Sequence, residues 1–232
     1  MIPKIIHYVW VGGNPKPKNI QRCMRTWQKH LPDYQIIEWN ETNFDIHENK
    51  YVEQAYQAKK WAFVSDYIRA KAVYEMGGIY LDTDVLVLDN LHSLLANRAF
   101  VGFENSDNPF TAVFGAQKGH PLLKDMLDYY DDRDFTFDKD HQLAGVNTLS
   151  VADILKNKYG AKPNNQAQML KTGIKVYPDG VLCNPSADSK TIHVFTGTWM
   201  EGAKPLKRKL VTALKVRIKT KRQAALYARF FR

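Results

Sequence analysis

The chain alternates between two hydrophobic periods. Lys4–Val11, rich in β-branched and aromatic residues, is strand-like and ends at Gly12-Gly13. Pro15 and Pro17 mark a loop, Lys18–His30 reads as a helix stopped at Leu31-Pro32, and Tyr34–Trp39 as a second strand. Residues 40–50 are polar and loop-like. Tyr51–Met76 is expected to be one long helix, with Val52, Ala55, Tyr56, Phe63, Tyr67, Ala70, Val73 and Tyr74 near helical spacing and Gly77-Gly78 as its stop. Further strands are expected at Ile79–Leu81, Val85–Leu88, Phe100–Phe103, Ala112–Ala116, Ile174–Tyr177 and Thr191–Phe195, and further helices at Pro121–Tyr130 and Thr148–Tyr159. Alternation of this kind predicts an α/β domain with a mixed, mainly parallel sheet flanked by helices. Such sheets bind ligands beyond the carboxyl ends of their strands.

One stretch breaks the hydrophobic pattern. In GGIYLDTDVLVLD (77–89) two carboxylates, Asp82 and Asp84, interrupt an apolar run. Burying unpaired carboxylates is costly, so a compensating cation or hydrogen bonds are expected. In an extended segment residues two apart share a side, which would aim both acids at one point past Leu81 and turn Thr83 away. Two hard oxygen donors suit Mn²⁺ or Mg²⁺; pairing with lysines is the plainer alternative. Asp66 and Arg69, three apart in the preceding helix, share a face. That spacing commonly gives a surface ion pair, but their neighbours Phe63, Val64, Tyr67 and Ile68 are apolar.

Composition adds mainly a charge asymmetry. The net charge is +9, yet Glu201 is the last acidic residue and residues 202–232 hold eleven Lys or Arg, which leaves residues 1–201 slightly acidic. The boundary suggests a catalytic domain over 1–202 and a basic amphipathic tail over 203–232. Leu206, Leu210, Leu214 and Ile218, four apart, form a stripe along the expected tail helix, with Phe230 and Phe231 at its end. Basic amphipathic helices of this type lie on anionic membrane surfaces; nucleic acid and a solvated tail are the other readings, and no nucleic acid is expected. No long uncharged apolar run suggests a transmembrane helix, and the first residues read as a strand and not as a signal peptide. Two isolated cysteines, Cys23 and Cys183, make neither a disulfide framework nor a zinc site, so a cytoplasmic setting is expected.

The string SDYIRAKAVYEMGGIYLDTD resembles the core of glycosyltransferase family 32, whose DXD-containing members share it with the clostridial glucosylating toxins. The matching positions are Ser65, Asp66, Arg69, Tyr74, Gly77, Gly78, Tyr80, Asp82 and Asp84. IPKIIHYVWVGG resembles the family's first strand, and Ile192–Trp199 its C-terminal His…Ser-Trp element, with Thr198 in place of Ser and Ile192-His193 in place of a double His. The resemblance implies a GT-A type nucleotide-sugar-binding fold, a divalent metal, and transfer of a hexose from a nucleotide sugar with retention of configuration. It implies that Trp10 stacks on the base, Asp66 and Arg69 hold donor hydroxyls, and Asp82 binds ribose or sugar and approaches the metal. It further implies that Asp84 is a direct ligand, that His193 completes the metal site, and that Trp199 donates to the diphosphate. Asn147 is a candidate sugar contact. His7 reads as a satisfied strand histidine. The expected partners are a nucleotide-sugar donor, UDP-linked, and a saccharide or lipid-linked acceptor at the inner face of the cell membrane. A nucleotide-sugar hydrolase or phosphotransferase, or a non-catalytic basic adaptor, are the competing readings.

Overall fold

The computed structural model describes residues 1–136, 147–197 and 205–231. In chain order the elements are β1 (Ile5–Val9), α1 (Lys18–His30), β2 (Gln35–Trp39), α2 (Lys50–Gln57), α3 (Trp61–Met76), β3 (Gly78–Leu81), β4 (Val85–Val87), β5 (Ala99–Gly102) and β6 (Val113–Ala116). They continue with α4 (Pro121–Asp128), α5 (Asn147–Tyr159), β7 (Gln168–Met169), β8 (Ile174–Tyr177), α6 (Asp179–Leu182), β9 (Thr191–His193), α7 (Leu206–Lys215) and α8 (Lys221–Phe231). The main sheet has the order β2-β1-β3-β6-β5-β8-β7, and β4 pairs with β9 as a separate ribbon. Strands β2, β1, β3, β5 and β8 run one way and β6 and β7 the other. This is the mixed, mostly parallel α/β sheet with flanking helices that the alternation of elements predicts.

Period-two alternation divides the core. In β3, Ile79 and Leu81 face a cluster with Trp27 of α1, while Tyr80 faces the cluster that takes in Phe63, Val64, Ile68 and Val73 of α3. Helices α2 to α5 therefore cover one face; α1, the ribbon and α6 cover the other. A third cluster joins Cys23, Leu86, Leu88, Ile192 and Val194 to Ile218 and Ala224 of the tail.

Gly77 and Gly78 have a steric cause. Gly77 ends α3 in the left-handed region (φ 68), its N–H bonding the Val73 carbonyl. Gly78 (φ 117) passes so close to β1 that a Cβ there would stand 2.8 Å from both His7 Nε2 and the Ile5 carbonyl. The glycines thus let β3 enter the sheet directly beside β1.

Three expectations are corrected. The single helix Tyr51–Met76 is two helices, broken where Lys59 takes a left-handed conformation (φ 57) and Lys60 N–H reaches back to the Ala55 carbonyl. Asp82-Thr83-Asp84 is not an extended segment: it is a turn closed by Val85 N–H to the Asp82 carbonyl. The leucine stripe does not run to Ile218 along one helix, because α7 ends at Lys215 and Ile218 turns into the third cluster.

Candidate active site

The site lies past the carboxyl ends of β3 and β5, where the sheet's parallel strands finish together. The Asp82–Val85 turn redirects the chain from the main sheet into the β4–β9 ribbon. Register in that ribbon sets Val85 opposite His193, so a residue more than a hundred positions along the chain reaches the turn. Ligand atoms of Asp82, Asp84 and His193 lie within 4.8 Å of one another.

Asp84 is 8% exposed and fully engaged. One carboxylate oxygen accepts the Thr196 N–H (2.8 Å) and hydroxyl (2.9 Å), and the other faces His193 Nε2 at 3.2 Å. Burial works against its charged form, but the His193 imidazolium and the two Thr196 bonds outweigh it and hold the carboxyl at about 2. Burial likewise disfavours the charged imidazole of His193, yet Asp84 holds it protonated well above its ordinary range. His193 Nδ1 is buried with no hydrogen-bond partner among the described residues. Two carboxylates and an imidazole form a donor set suited to Mn²⁺ or Mg²⁺. An ion there would take the place of the proton on Nε2, so the residues present fit such a group.

Asp82 belongs to a second, buried network. Its Oδ1 accepts the Tyr80 hydroxyl at 3.0 Å and lies 3.3 Å from Arg69 Nη2. The same Nη2 is 3.1 Å from Asp66 Oδ1 and donates to the Ser65 hydroxyl at 2.8 Å, while Nε donates to the Ser65 carbonyl. The guanidinium covers the Tyr80 ring, 4.7 Å from its centroid. Asp66 and Arg69 are 5% and 8% exposed, so this is no surface pair. Burial pushes the Asp66 carboxyl up to about 7; Arg69 opposes the rise and Asp82 adds to it. The Asn147 backbone N–H, at the start of α5, also donates to Asp66, the arrangement a helix N-terminus favours. The Asn147 side chain donates to the Tyr130 hydroxyl at 2.9 Å, and its buried Oδ1 has no partner among the described residues.

Trp10 stands just past β1, half-buried. Its indole N–H donates to the Asn14 carbonyl (2.7 Å) and the Lys16 ammonium lies 5.4 Å from its ring. Trp199 and Thr198 lie outside the described residues. His7 is fully enclosed between Gly77 and Trp39, apart from the site. Sequence reasoning missed Glu104. It follows the carboxyl end of β5, where burial raises its carboxyl, with Asp82 adding and His193 and Lys215 opposing. A carboxylate just beyond a parallel strand was the available signal. Cys23 and Cys183 are buried free thiols.

Residues 17–101 match the family described as "Glycosyltransferase sugar-binding region containing DXD motif". The chain is 30% identical over 134 residues to inositol phosphoceramide mannosyltransferase 3 of Schizosaccharomyces pombe, covering 54% of this chain and 36% of that protein. It is 29% identical over 133 residues to a glycosyltransferase of Acanthamoeba polyphaga mimivirus, covering 53% of each. The chain thus aligns with about a third to a half of the length of these curated relatives. Among solved structures, the PaToxG glycosyltransferase is similar at 18% identity and a TM-score of 0.47, over 67% of this chain and 69% of that one. The matched region holds the Ser65–Asp84 motif, so this part of the chain is similar to the glycosyltransferase sugar-binding region that contains a DXD motif.

Proposed function

We propose that the protein is a retaining, metal-dependent hexosyltransferase. It moves a sugar from a nucleotide donor, UDP-linked, to a saccharide or lipid-linked acceptor in cell-surface polysaccharide synthesis. One observation carries the reading: the turn residues Asp82 and Asp84 meet His193 at one point, directly beside the buried Asp66–Arg69–Asp82 network.

In this reading Asp84, Asp82 and His193 hold Mn²⁺ or Mg²⁺. A cation held there would supply positive charge against the negative charge of the departing diphosphate. Arg69 and Asp66 orient the donor sugar through its hydroxyls, and Asn147 Oδ1, without a partner among the described residues, accepts a further hydroxyl. Trp10 offers an aromatic face to the base at the end of β1, and Trp199 an indole N–H to the diphosphate. The bond between the anomeric carbon and the phosphate oxygen breaks. The acceptor oxygen bonds to that carbon on the same face, and its proton goes to the released phosphate oxygen. No separate carboxylate base is required.

The tail suits work at a membrane surface on the cytoplasmic side. Leu206, Leu210, Leu226, Phe230 and Phe231 are exposed among the basic residues of α7 and α8. No described helix is long and apolar enough to cross a membrane.

The test is a donor screen. Nucleotide release and label transfer are measured with UDP- and GDP-sugars, with Mn²⁺ and with EDTA. Release from a UDP-hexose that EDTA abolishes is expected. Metal-independent turnover, or none with any donor, would overturn the proposal.

A further inference from the structure

We infer that Lys215, in the last turn of α7, is a positioning residue for His193, so that the basic tail is a working part of the candidate active site. The inference rests on the metal reading above. Lys215 is 6% exposed, deep burial for a lysine. Its ammonium donates to the His193 backbone carbonyl at 3.2 Å and lies 4.7 Å from the centroid of the Phe195 ring. That ring packs on the His193 imidazole, with centroids 3.8 Å apart and planes 31° apart. The imidazole then meets Asp84. Lys215 thus fixes His193 twice, at its carbonyl and through the ring laid against its side chain.

Phe195 shows that this contact is imposed. It sits in the left-handed region (φ 60), where a bulky residue is an outlier that persists only when its surroundings hold it. The same tail segment is anchored on the β4–β9 ribbon, which carries His193 and directly follows Asp84. Ile218 and Ala224 pack with Leu86, Leu88, Ile192 and Val194, and Lys221 pairs with Asp89 at 2.6 Å. Lys215 and His193 both oppose the rise that burial causes in the Glu104 carboxyl. Partners that orient a metal-binding histidine are worth 10- to 100-fold in metal affinity when removed, and that is the scale expected here.

Mn²⁺ affinity is measured by calorimetric titration of the full chain, with and without UDP, for wild type, Lys215→Gln and Lys215→Arg. The folded state of each is checked by near-ultraviolet circular dichroism. Lys215→Gln should bind Mn²⁺ at least about 10-fold more weakly, and Lys215→Arg, which keeps the charge and the donor, should stay within about threefold of wild type. With a turned-over donor, the Mn²⁺ concentration for half-activity should rise more than kcat at saturating metal falls. Folded Lys215→Gln binding Mn²⁺ within threefold of wild type would overturn the inference. If Lys215→Gln does not fold, Phe195→Leu is read in the same way: a similar loss supports the inference and unchanged affinity overturns it. A wild type that takes up no Mn²⁺, with or without UDP, would instead overturn the metal reading, and this inference with it.

Discussion

Replacing Arg69 by lysine separates grip on the sugar from bulk charge. The guanidinium spans two carboxylates from one nitrogen, Asp66 at 3.1 Å and Asp82 at 3.3 Å, bonds Ser65 twice and lies over the Tyr80 ring. A lysine ammonium is a point charge with no plane to stack and no fork to divide. Because the charge survives, Asp66 and Asp82 keep a counterion. The loss of stability should therefore stay below the ~3–5 kcal/mol expected when one partner of a buried pair is removed. What is lost is at least one charge-assisted hydrogen bond, about 1.5–3 kcal/mol. If that bond holds the sugar as the anomeric bond breaks, the loss corresponds to roughly a 10- to 100-fold drop in kcat. Initial rates at saturating donor give kcat, and titration with UDP, which lacks the sugar, gives nucleotide affinity. The expected result is a low kcat with UDP affinity changed little. A parallel fall of both by one factor would refute the sugar-grip role and make Arg69 a phosphate contact or a structural residue.

Asp84→Asn keeps a carbonyl to accept both Thr196 bonds but loses the ion pair with His193, so the metal-free protein should melt lower while still folding, transfer should fall at least ~100-fold and Mn²⁺-dependent UDP binding should be lost; full activity of this variant in EDTA would refute the ligand assignment. At the tail, Phe230→Ser with Phe231→Ser should weaken sedimentation with anionic vesicles, and high salt should weaken wild-type binding too, since each Lys or Arg contributes at most ~1 kcal/mol near the surface. Equal sedimentation of variant and wild type would refute the membrane reading, and these two exposed positions leave the Lys215 anchor in place.

Most of the sheet was legible because its strands are short, β-branched and bounded by glycine or proline, and because Gly77-Gly78 marks a helix end that only glycine can make beside His7. The break between α2 and α3 was not legible. Lys59 carries the left-handed turn without Gly, Asn or Pro, and apolar residues on both sides keep helical spacing. The motif named Asp66, Arg69, Asp82 and Asp84, but local spacing gave the wrong geometry for the last two. An extended strand and a turn both bring residues two apart to one side, and pairing of the Asp82 carbonyl with Val85 selected the turn. Long-range partners were hardest to read. His193 meets Asp84 through strand register, and Lys215 meets His193 through docking of the tail, and neither leaves a periodic signal in the residues concerned. The tail's leucine spacing described a helix face correctly for Leu206 and Leu210, while the burial of Ile218 depended on a surface supplied by β4 and β9.

Two histidines away from the site predict how stability depends on pH. His7 is fully buried; its Nε2–H donates to the Gly77 carbonyl at 2.8 Å and its Nδ1 accepts the Trp39 indole N–H at 3.1 Å. His120 repeats the pattern, with Nε2 to the Thr172 carbonyl and Nδ1 accepting the Leu122 N–H. In both, a second proton would land on a nitrogen already accepting a hydrogen bond. Burial accordingly lowers both from 6.5, and the carbonyl bonds only partly oppose it. The unfolded chain then binds more protons than the folded one below pH 6.5. Stability from these groups is fully present above 6.5 and is lost as the pH falls through the lowered folded values. His193 acts oppositely in the metal-free protein: its raised value adds stability below 6.5, which is lost as the pH rises through the folded value. The difference between wild type and His7→Gln isolates one group. Its share of the loss on going from pH 7 to pH 5 is at most ~1.4 kcal/mol for each pH unit. Urea melts of both proteins with EDTA across that range should show a shallower acid slope for His7→Gln, whatever its absolute stability. Identical slopes would mean that His7 takes up its proton in the folded state, against the arrangement of its two hydrogen bonds.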